Sequence, residues 1–374
     1  MTEAPPGAQR VTTLELFFDL VFVFVVTQLS AVLAHDLTWH GVYHVALMLG
    51  FIWFMYGGYA WLTNAIRLSD PVNRGLLLAG MCGYFIIALS VPRAFDDAGL
   101  AFGIGYVAVV AVHTWLFSHS APGLAPQAIL RLAPGNLGAA VVVLIGGALG
   151  GTAQLVLWTV GVVAVWVIPK LVGNQDFEVA PAHFVERHGL VVIVAIGESV
   201  VAIGIGAAAL AVDVELGLIA VLGLLLSAAL WWTYFGGDDE RAEAALTAMP
   251  TRRRAVAALD GYGFAHLALL LGIVCVAVGL KKATGHAYDT LESGPALVLA
   301  GGTALFLAGD VWFRRVLRIG RGRARAAGAL LALATIPLGT GVAAVVQVGA
   351  LALVVAVATT RPDILTPKHS VANI

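Results

Sequence analysis

Long apolar segments dominate the chain, and short polar segments separate them. About 20 apolar residues are needed to cross the ~30 Å hydrocarbon core of a bilayer as a helix. The last apolar stretch, 322–359, is too long for one span, so we divide it at Pro337–Gly341. The pattern therefore predicts an all-α membrane protein with about twelve transmembrane helices, near residues 11–34, 41–62, 74–92, 97–118, 127–149, 152–172, 184–210, 214–235, 256–280, 293–316, 322–341 and 342–359.

Composition supports this class. Hydrophobic residues make up 60% of the chain, charged residues 11%, and the mean hydropathy is +0.92, values that exclude an ordinary soluble domain. We expect the lipid bilayer to be the partner of this chain, and we expect no binding of nucleic acid. Cys82 and Cys275 lie in different apolar runs, without metal-ligand spacing. Residues 1–10 are polar and no small-residue cleavage site follows the first run, so we expect no signal peptide.

The basic residues are distributed unevenly between the two sides. With twelve spans, both termini and the loops after even-numbered helices share one side. That side holds 18 of the 21 Lys and Arg residues, which leaves Arg93, Lys281 and Lys282 on the other. Because positive residues accumulate on the cytoplasmic side of membrane proteins, both termini are expected to be cytoplasmic.

The chain also has the marks of an internal duplication. Residues 53–58 echo residues 231–237, and aligning Glu15 with Glu186 places Thr27 opposite Glu198. Six spans per half is an even number, so the two halves would run parallel. The expected segments are a cytoplasmic N-terminal tail (1–10), a first half (11–172), a second half (173–359) with a cytoplasmic loop (237–255), and a cytoplasmic C-terminal tail (360–374).

A carboxylate lies deep inside the seventh predicted helix, which reads HFVERHGLVVIVAIGESVVAIG from His183 to Gly204. Glu198 follows Arg187 by about 17 Å at ~1.5 Å per residue, near the bilayer midplane. A charge there costs at least ~2.5 kcal/mol, so it normally faces a cavity or a partner. Glu198 is therefore either a functional group or a structural carboxyl hydrogen-bonded to a Ser or Thr of a neighbouring helix.

The start of this helix carries His183, Glu186, Arg187 and His188, and it has two interpretations. The His-x-x-Glu spacing is that of bundle metal sites, which need partners from other helices. The alternative is an interfacial helix start in which Glu186 balances Arg187.

Other polar residues extend this pattern. Glu15 and Asp19 lie one helical turn apart and would repel unless a cation, a proton or an arginine bridges them. His266 is either a proton-relay partner of Glu198 or a buried histidine bonded to a backbone carbonyl. Asp310 is expected to pair with Arg314. The proposed substrate and proton pathway consists of Glu15, Asp19, Thr27, Gln28, His183, Glu186, Glu198, Ser199, Asp260 and His266.

Several of these motifs together resemble a known family. They are ELFFDLVFVF at 15–24, HFVERHGL at 183–190, GES at 197–199, WWTYF at 231–235, the segment 254–266 and GLKK at 279–282. The chain resembles the bacterial low temperature requirement A family over nearly its whole length, although 121–151 carries no motif of it and Ile196 stands where leucine is frequent. The resemblance implies an integral protein of the bacterial inner membrane. It implies no reaction, because the family name describes a growth phenotype.

Three function classes fit these residues. A proton-coupled secondary transporter of a small molecule or ion is the main prediction, and a homo-oligomer is compatible with it. A cation channel is the second, since Phe18-Asp19 faintly resembles part of a potassium-channel signature. An intramembrane enzyme acting on a lipid or isoprenoid diphosphate is the third; Mg²⁺ at Asp238, Asp239 and Glu243 is expected only in that case, and otherwise no cofactor. The alternative for these acids is a solvated helix.

Overall fold

Helices form every regular element of the described chain. A computed structural model describes residues 11–66, 68, 70–123, 125–174 and 176–360, so the N-terminal tail, Arg67 and nearly all of the C-terminal tail lie outside it. Eleven helices within this part are long and apolar enough to cross a membrane, and no strand occurs in it. The predicted all-α membrane fold is thus confirmed.

The first six long helices follow one another closely. They are α1 (Thr13–His35), α2 (Trp39–Ala65), α3 (Pro71–Ser90), α4 (Gly99–Ser120), α5 (Ala125–Leu149) and α6 (Gly151–Val172), with a 3₁₀ turn at Val91–Arg93. Local signals in the sequence set several starts. Thr12 and Glu15 form a capping box at the start of α1, and Asp70 caps α3 ahead of Pro71.

The remaining elements are less regular. They are α7 (Pro181–Ala207), α8 (Val214–Phe235), α9 (Asp238–Ala248), α10 (Thr251–Ala258), a π-helix (Leu259–Ala265), α11 (His266–Ala283), α12 (Ser293–Leu317), α13 (Arg323–Leu333), α14 (Ile336–Gly341) and α15 (Ala344–Thr360). Helix α15 is apolar but only 17 residues long, shorter than the eleven candidate spans. The helical structure is interrupted between α13 and α14 and again between α14 and α15, close to the division that Pro337–Gly341 had indicated.

The helices pack in two groups. In the first, α3, α4, α5 and α6 pack in sequence, α1 contacts α2 and α3, and α2 contacts α4 and α6. In the second, α11, α12, α13 and α15 pack in sequence, α7 contacts α8 and α11, and α8 contacts α12 and α15. Helix α1 joins the groups by packing against α7 and α11. Side chains that converge from α1, α2 and α7 therefore lie in the interior.

Charged contacts gather at the end of the bundle where α6 finishes and α10 begins. Lys170 at the end of α6 pairs with Asp260 of the π-helix, and Arg131 of α5 pairs with Asp176. Arg254 of α10 donates to the carbonyl oxygens of Leu246 and Val179 at 2.8 and 3.0 Å. These contacts bring basic residues from loops distant in sequence to one end of the molecule.

A buried charge cluster lies at the same end. Asp238, the first residue of α9, accepts hydrogen bonds from Arg314 at 2.6 Å and from Arg325 at 2.5 Å. Arg325 also binds Asp310. Arg325 of α13 is thus a partner of Asp310 in addition to Arg314, which the sequence spacing had suggested. The sequence spacing could not show that α13 returns to this point.

This cluster yields a stability prediction. Replacing Arg325 with Met leaves two buried aspartates without their shared cation, which should cost ~3–5 kcal/mol of the free energy of unfolding. Arg323→Met, two residues away and exposed, is the matched control and should change little. Thermal unfolding of the purified variants in one detergent measures both. Equal midpoints for the two variants would contradict the assigned role of the cluster.

Candidate functional site

Helices α1 and α7 start beside each other and present polar side chains to one interior region. The capping box places Glu15 in the first turn of α1, and Asp19 follows one turn deeper. Pro181 starts α7, so His183 and Arg187 lie four residues apart on one helix face. All four side chains are buried, with exposed fractions of 1 to 4%. Two acids and two bases therefore meet where the helices pack.

Arg187 bridges the two carboxylates. One guanidinium nitrogen lies 3.1 Å from Glu15 Oε1, and the other donates to Asp19 Oδ1 at 3.1 Å. The Tyr56 hydroxyl donates to the same Asp19 oxygen at 2.6 Å. The planar guanidinium has several donors at fixed angles, which allows it to hold two acids together. Of the three ways to relieve the repulsion between Glu15 and Asp19, the protein uses an arginine.

His183 extends this network towards α2. Its Nε2 lies 3.1 Å from Glu15 Oε1, and its Nδ1 lies 3.2 Å from the amide nitrogen of Asn64. Because an amide nitrogen can only donate, Nδ1 accepts, and Nε2 carries the hydrogen that faces Glu15. Asn64 also accepts from the backbone N–H of Ala180 at 2.9 Å. The network thus fixes the entry of α7 against α2.

Glu186 does not share in this network. It is exposed, it accepts a long hydrogen bond of 3.5 Å from the backbone of Val11, and Arg187 turns away to the acids of α1. The reading in which Glu186 balances Arg187 is therefore wrong. Glu186 instead lines a cavity of about 530 Å³ between α7, α8 and α9, together with Phe235 and the acids Asp239, Glu240 and Glu243.

A second polar contact lies deeper along the same two helices. The Thr27 hydroxyl of α1 donates to Glu198 Oε2 of α7 at 2.6 Å. Glu198 is 3% exposed, and Ser199 beside it is fully buried with no hydrogen-bond partner among the described residues. Ser30, one turn beyond Thr27, is also buried, and Gln28 is half-buried. The contact joins the two positions that the sequence alignment had placed opposite each other.

The structure places two of the proposed pathway residues elsewhere. His266 has both ring nitrogens engaged, with the Tyr234 hydroxyl at 2.8 Å and the Gly261 carbonyl oxygen at 2.8 Å. It therefore follows the backbone-carbonyl alternative and makes no hydrogen bond to Glu198 within the described part of the chain. Asp260 pairs with Lys170 at the end of the bundle.

The acidic loop does not form a metal site in this arrangement. Asp238 turns inwards to Arg314 and Arg325, whereas Asp239 and Glu243 line the cavity beside α7. Across residues 11–66, 68, 70–123, 125–174 and 176–360, no group of three or more His, Cys, Asp or Glu side chains is arranged to hold a metal ion. The Mg²⁺ trio considered above is thus not assembled.

Comparison with known proteins identifies the family. A sequence profile described as bacterial low temperature requirement A protein (LtrA) matches residues 10–360, which is nearly the whole chain. The chain belongs to the LtrA family. An uncharacterised protein of Rhizobium meliloti (strain 1021) is 28% identical over 315 residues, covering 81% of this chain and 76% of that protein. No solved structure matches the LtrA chain.

Three residues of the network were not among the proposed site residues. Arg187, Tyr56 and Asn64 all contact residues that were. For Arg187 a signal existed, since the Glu15 and Asp19 pair requires a cation and Arg187 lies one turn from His183. For Tyr56 and Asn64 the sequence of this LtrA protein offers no comparable signal, because their roles depend on how α2 packs against α1 and α7.

Removing Arg187 should unfold the LtrA protein more readily. Arg187→Met leaves Glu15 and Asp19 buried without their cation, and breaking a buried pair in this way costs ~3–5 kcal/mol. The triple variant Arg187→Met, Glu15→Gln, Asp19→Asn removes all three charges and should recover most of that loss. Thermal unfolding midpoints in detergent measure both, with exposed Arg131→Met as the control. A triple variant less stable than Arg187→Met would contradict this account.

Proposed function

We propose that this LtrA-family protein is a proton-coupled secondary transporter, and that Glu198 carries the coupling proton. The observation behind the proposal is the environment of Glu198. It is 3% exposed inside a membrane-spanning helix, and its hydrogen-bond donor is a neutral hydroxyl, that of Thr27. Burial in an apolar environment disfavours the charged form of a carboxyl group. A carboxyl group held in this way exchanges a proton or binds a cation when water reaches it.

The contrast with the other buried acids supports this role. Within the described chain, Glu15 and Asp19 share Arg187, and Asp238 and Asp310 share Arg325. Each of those four carboxylates has an arginine in contact. Lys281 on α11 attracts Glu198 over a longer range and forms no salt bridge with it in this part of the molecule. Glu198 is therefore the buried acid best placed to change its charge.

An apolar layer separates the two polar groups. On α1, the buried side chains Phe22, Val25 and Val26 lie between Asp19 and Thr27. On α7, Val191, Val192 and Ala195 lie between Arg187 and Glu198 and are equally buried. Such a layer blocks a continuous water path between the network and Glu198. We interpret this as a closed state of the transporter, from which a movement between the helix groups would admit water.

The packing of the helices supports two parallel halves with twelve crossings. The six helices of the first group correspond in order to six of the second, which are α7, α8, α11, α12, α13 and α15. With this correspondence, each contact described between two helices of the first group has an equivalent contact in the second. The α1–α7 contact joins Thr27 to Glu198, 171 residues apart, which is also the offset that aligns Glu15 with Glu186. A two-fold axis along the membrane normal would pass close to this contact, the arrangement found where parallel repeats form transporters.

The proposed location is the bacterial inner membrane with both termini in the cytoplasm. The end of the bundle that holds Lys170, Arg254, Arg314 and Arg325 is the basic end, and basic residues favour the cytoplasmic side. The substrate would be a small molecule or an ion.

Glu198→Gln tests the central residue without knowledge of the substrate. Gln keeps the volume and can still accept from Thr27, so the variant should fold, but it cannot titrate. All protonated carboxyl groups absorb in the infrared C=O region, but a carboxyl in an apolar site absorbs at its own frequency. That one component should decrease as pH rises in wild-type protein and be missing from Glu198→Gln. Exposed Glu292→Gln should keep that component. Identical spectra for wild type and Glu198→Gln would remove Glu198 from the mechanism.

Flux measurements separate the function classes. In liposomes with an imposed pH gradient, a coupled transporter moves protons only when substrate is present, and Glu198→Gln should lose this coupling. Potassium flux down its gradient without proton movement would identify a channel. Conversion of an added prenyl diphosphate without flux would identify an enzyme.

Cysteine labelling tests the topology. In a background without Cys82 and Cys275, Arg253→Cys should react with a membrane-impermeant reagent only after the cells are opened. Asp289→Cys should react in intact spheroplasts. The physical reason is that a single crossing, the segment Thr251–Ala283, separates the two positions in the proposed arrangement. Labelling of both positions under the same condition would contradict the twelve-crossing arrangement.

A further inference from the structure

A second cavity, of about 90 Å³, lies inside the first helix group, at the basic end of the bundle. Helices α2, α4, α5 and α6 and the π-helix form its walls. Aromatic rings make up much of the lining, and no Asp, Glu, Lys or Arg side chain takes part. Its rings are those of Trp53, Phe54, Trp61, Phe117, Trp166 and Phe177.

Two polar side chains that line this cavity have unpaired atoms. The Asn136 carbonyl oxygen is buried and has no hydrogen-bond partner among the described residues. His113 is 4% exposed, and neither of its ring nitrogens makes a hydrogen bond of acceptable geometry. The neighbouring Gly58 backbone could serve only one of the two, so at least one nitrogen is available. Unpaired buried polar groups are costly and rare in proteins, so two such residues at one cavity point to a ligand.

The π-helix shapes one wall of the cavity. It supplies Leu259, Tyr262 and Gly263, and two of its carbonyl oxygens are held from outside the helix. The Trp53 indole donates to the Gly263 carbonyl at 2.9 Å, and the His266 ring donates to that of Gly261 at 2.8 Å. Segments of π-helix are rare and occur frequently at functional sites.

The lining defines the class of ligand. A charged molecule would enter without a counter-charge and lose its hydration, which is strongly unfavourable. Flat aromatic walls favour a planar ring. The imidazole of His113 and the amide of Asn136 can donate to and accept from a hydroxyl or carbonyl group on that ring.

We propose that this cavity binds a neutral planar ring that carries a hydroxyl or carbonyl oxygen, of the phenol or quinone type. His113 and Asn136 would contact the oxygen, and the tryptophan and phenylalanine rings would enclose the ring. Glu198 does not line the cavity, so the site stands independently of the proposed transport mechanism.

Titration calorimetry with 2-naphthol tests the proposal on the full-length protein in detergent, with the heat of an equal titration into empty micelles subtracted. Naphthalene is the apolar control, and 2-naphthoate is the charged control. Wild-type protein should bind 2-naphthol about tenfold more tightly than naphthalene, because a satisfied buried hydrogen bond contributes about this factor. It should bind 2-naphthoate weakest.

Two kinds of variant locate the binding. Gly57 lines the cavity, and a Cβ added there meets no atom within 4 Å, so Gly57→Leu should fill the space and reduce naphthol affinity at least about tenfold. Gly138→Leu, at an exposed and equally open position of α5, is the control. His113→Phe should bind naphthol and naphthalene alike.

The results that overturn the proposal are equally defined. Unchanged naphthol affinity in both Gly57→Leu and His113→Phe would show that binding occurs elsewhere. Equal wild-type affinity for naphthol and naphthalene would show that the polar groups take no part. Should Gly57→Leu not fold, the His113→Phe comparison alone decides, because it leaves the backbone and the packing volume nearly unchanged.

Discussion

The structure depends on one constraint, the need to neutralise charges that are buried inside a membrane protein. Arg187 meets it by holding Glu15 and Asp19 together at 3.1 Å each, with Tyr56 and His183 completing the contacts. Replacing only one partner would leave an unpaired charge, so the four side chains act as a unit. Because they come from α1, α2 and α7, their pairing fixes how the two helix groups meet.

The same rule explains why Glu198 differs from the other buried acids. The carboxylates of the Arg187 and Arg325 clusters each contact an arginine and link helices that are distant in sequence, so they belong to the framework. Glu198 has a hydroxyl donor in place of a cation, and its charge must follow the access of water or ions. The charged network lies at one end of the helices, and the carboxyl group of Glu198 lies about 17 Å deeper. This arrangement is suited to coupling the movement of a proton to a movement of one helix group against the other.

The need for a partner also applies to buried polar groups that carry no charge, and it points to the aromatic cavity. Asn136 lines the cavity with an unpaired carbonyl oxygen, and His113 has at least one nitrogen available. Elsewhere buried polar atoms are paired within the protein, as Arg254 is with several carbonyl oxygens. Where it leaves them unpaired around a cavity and beside a π-helix, a ligand would complete the set. The cavity and Glu198 are therefore two separate candidate sites in this protein.

The sequence by itself determined the membrane class, the helix positions and the family, because hydrophobic length and local capping act over short distances along the chain. It also identified Glu15, Asp19 and Glu198 as acids that need partners, since their depth follows from helix geometry. Which partner each one meets was decided by tertiary structure alone. Asp310 binds Arg325 and His266 binds Tyr234 because α13 and α8 pack where no spacing rule could place them. Local spacing constrains residues within a helix, whereas contacts between helices depend on the packing of the whole bundle.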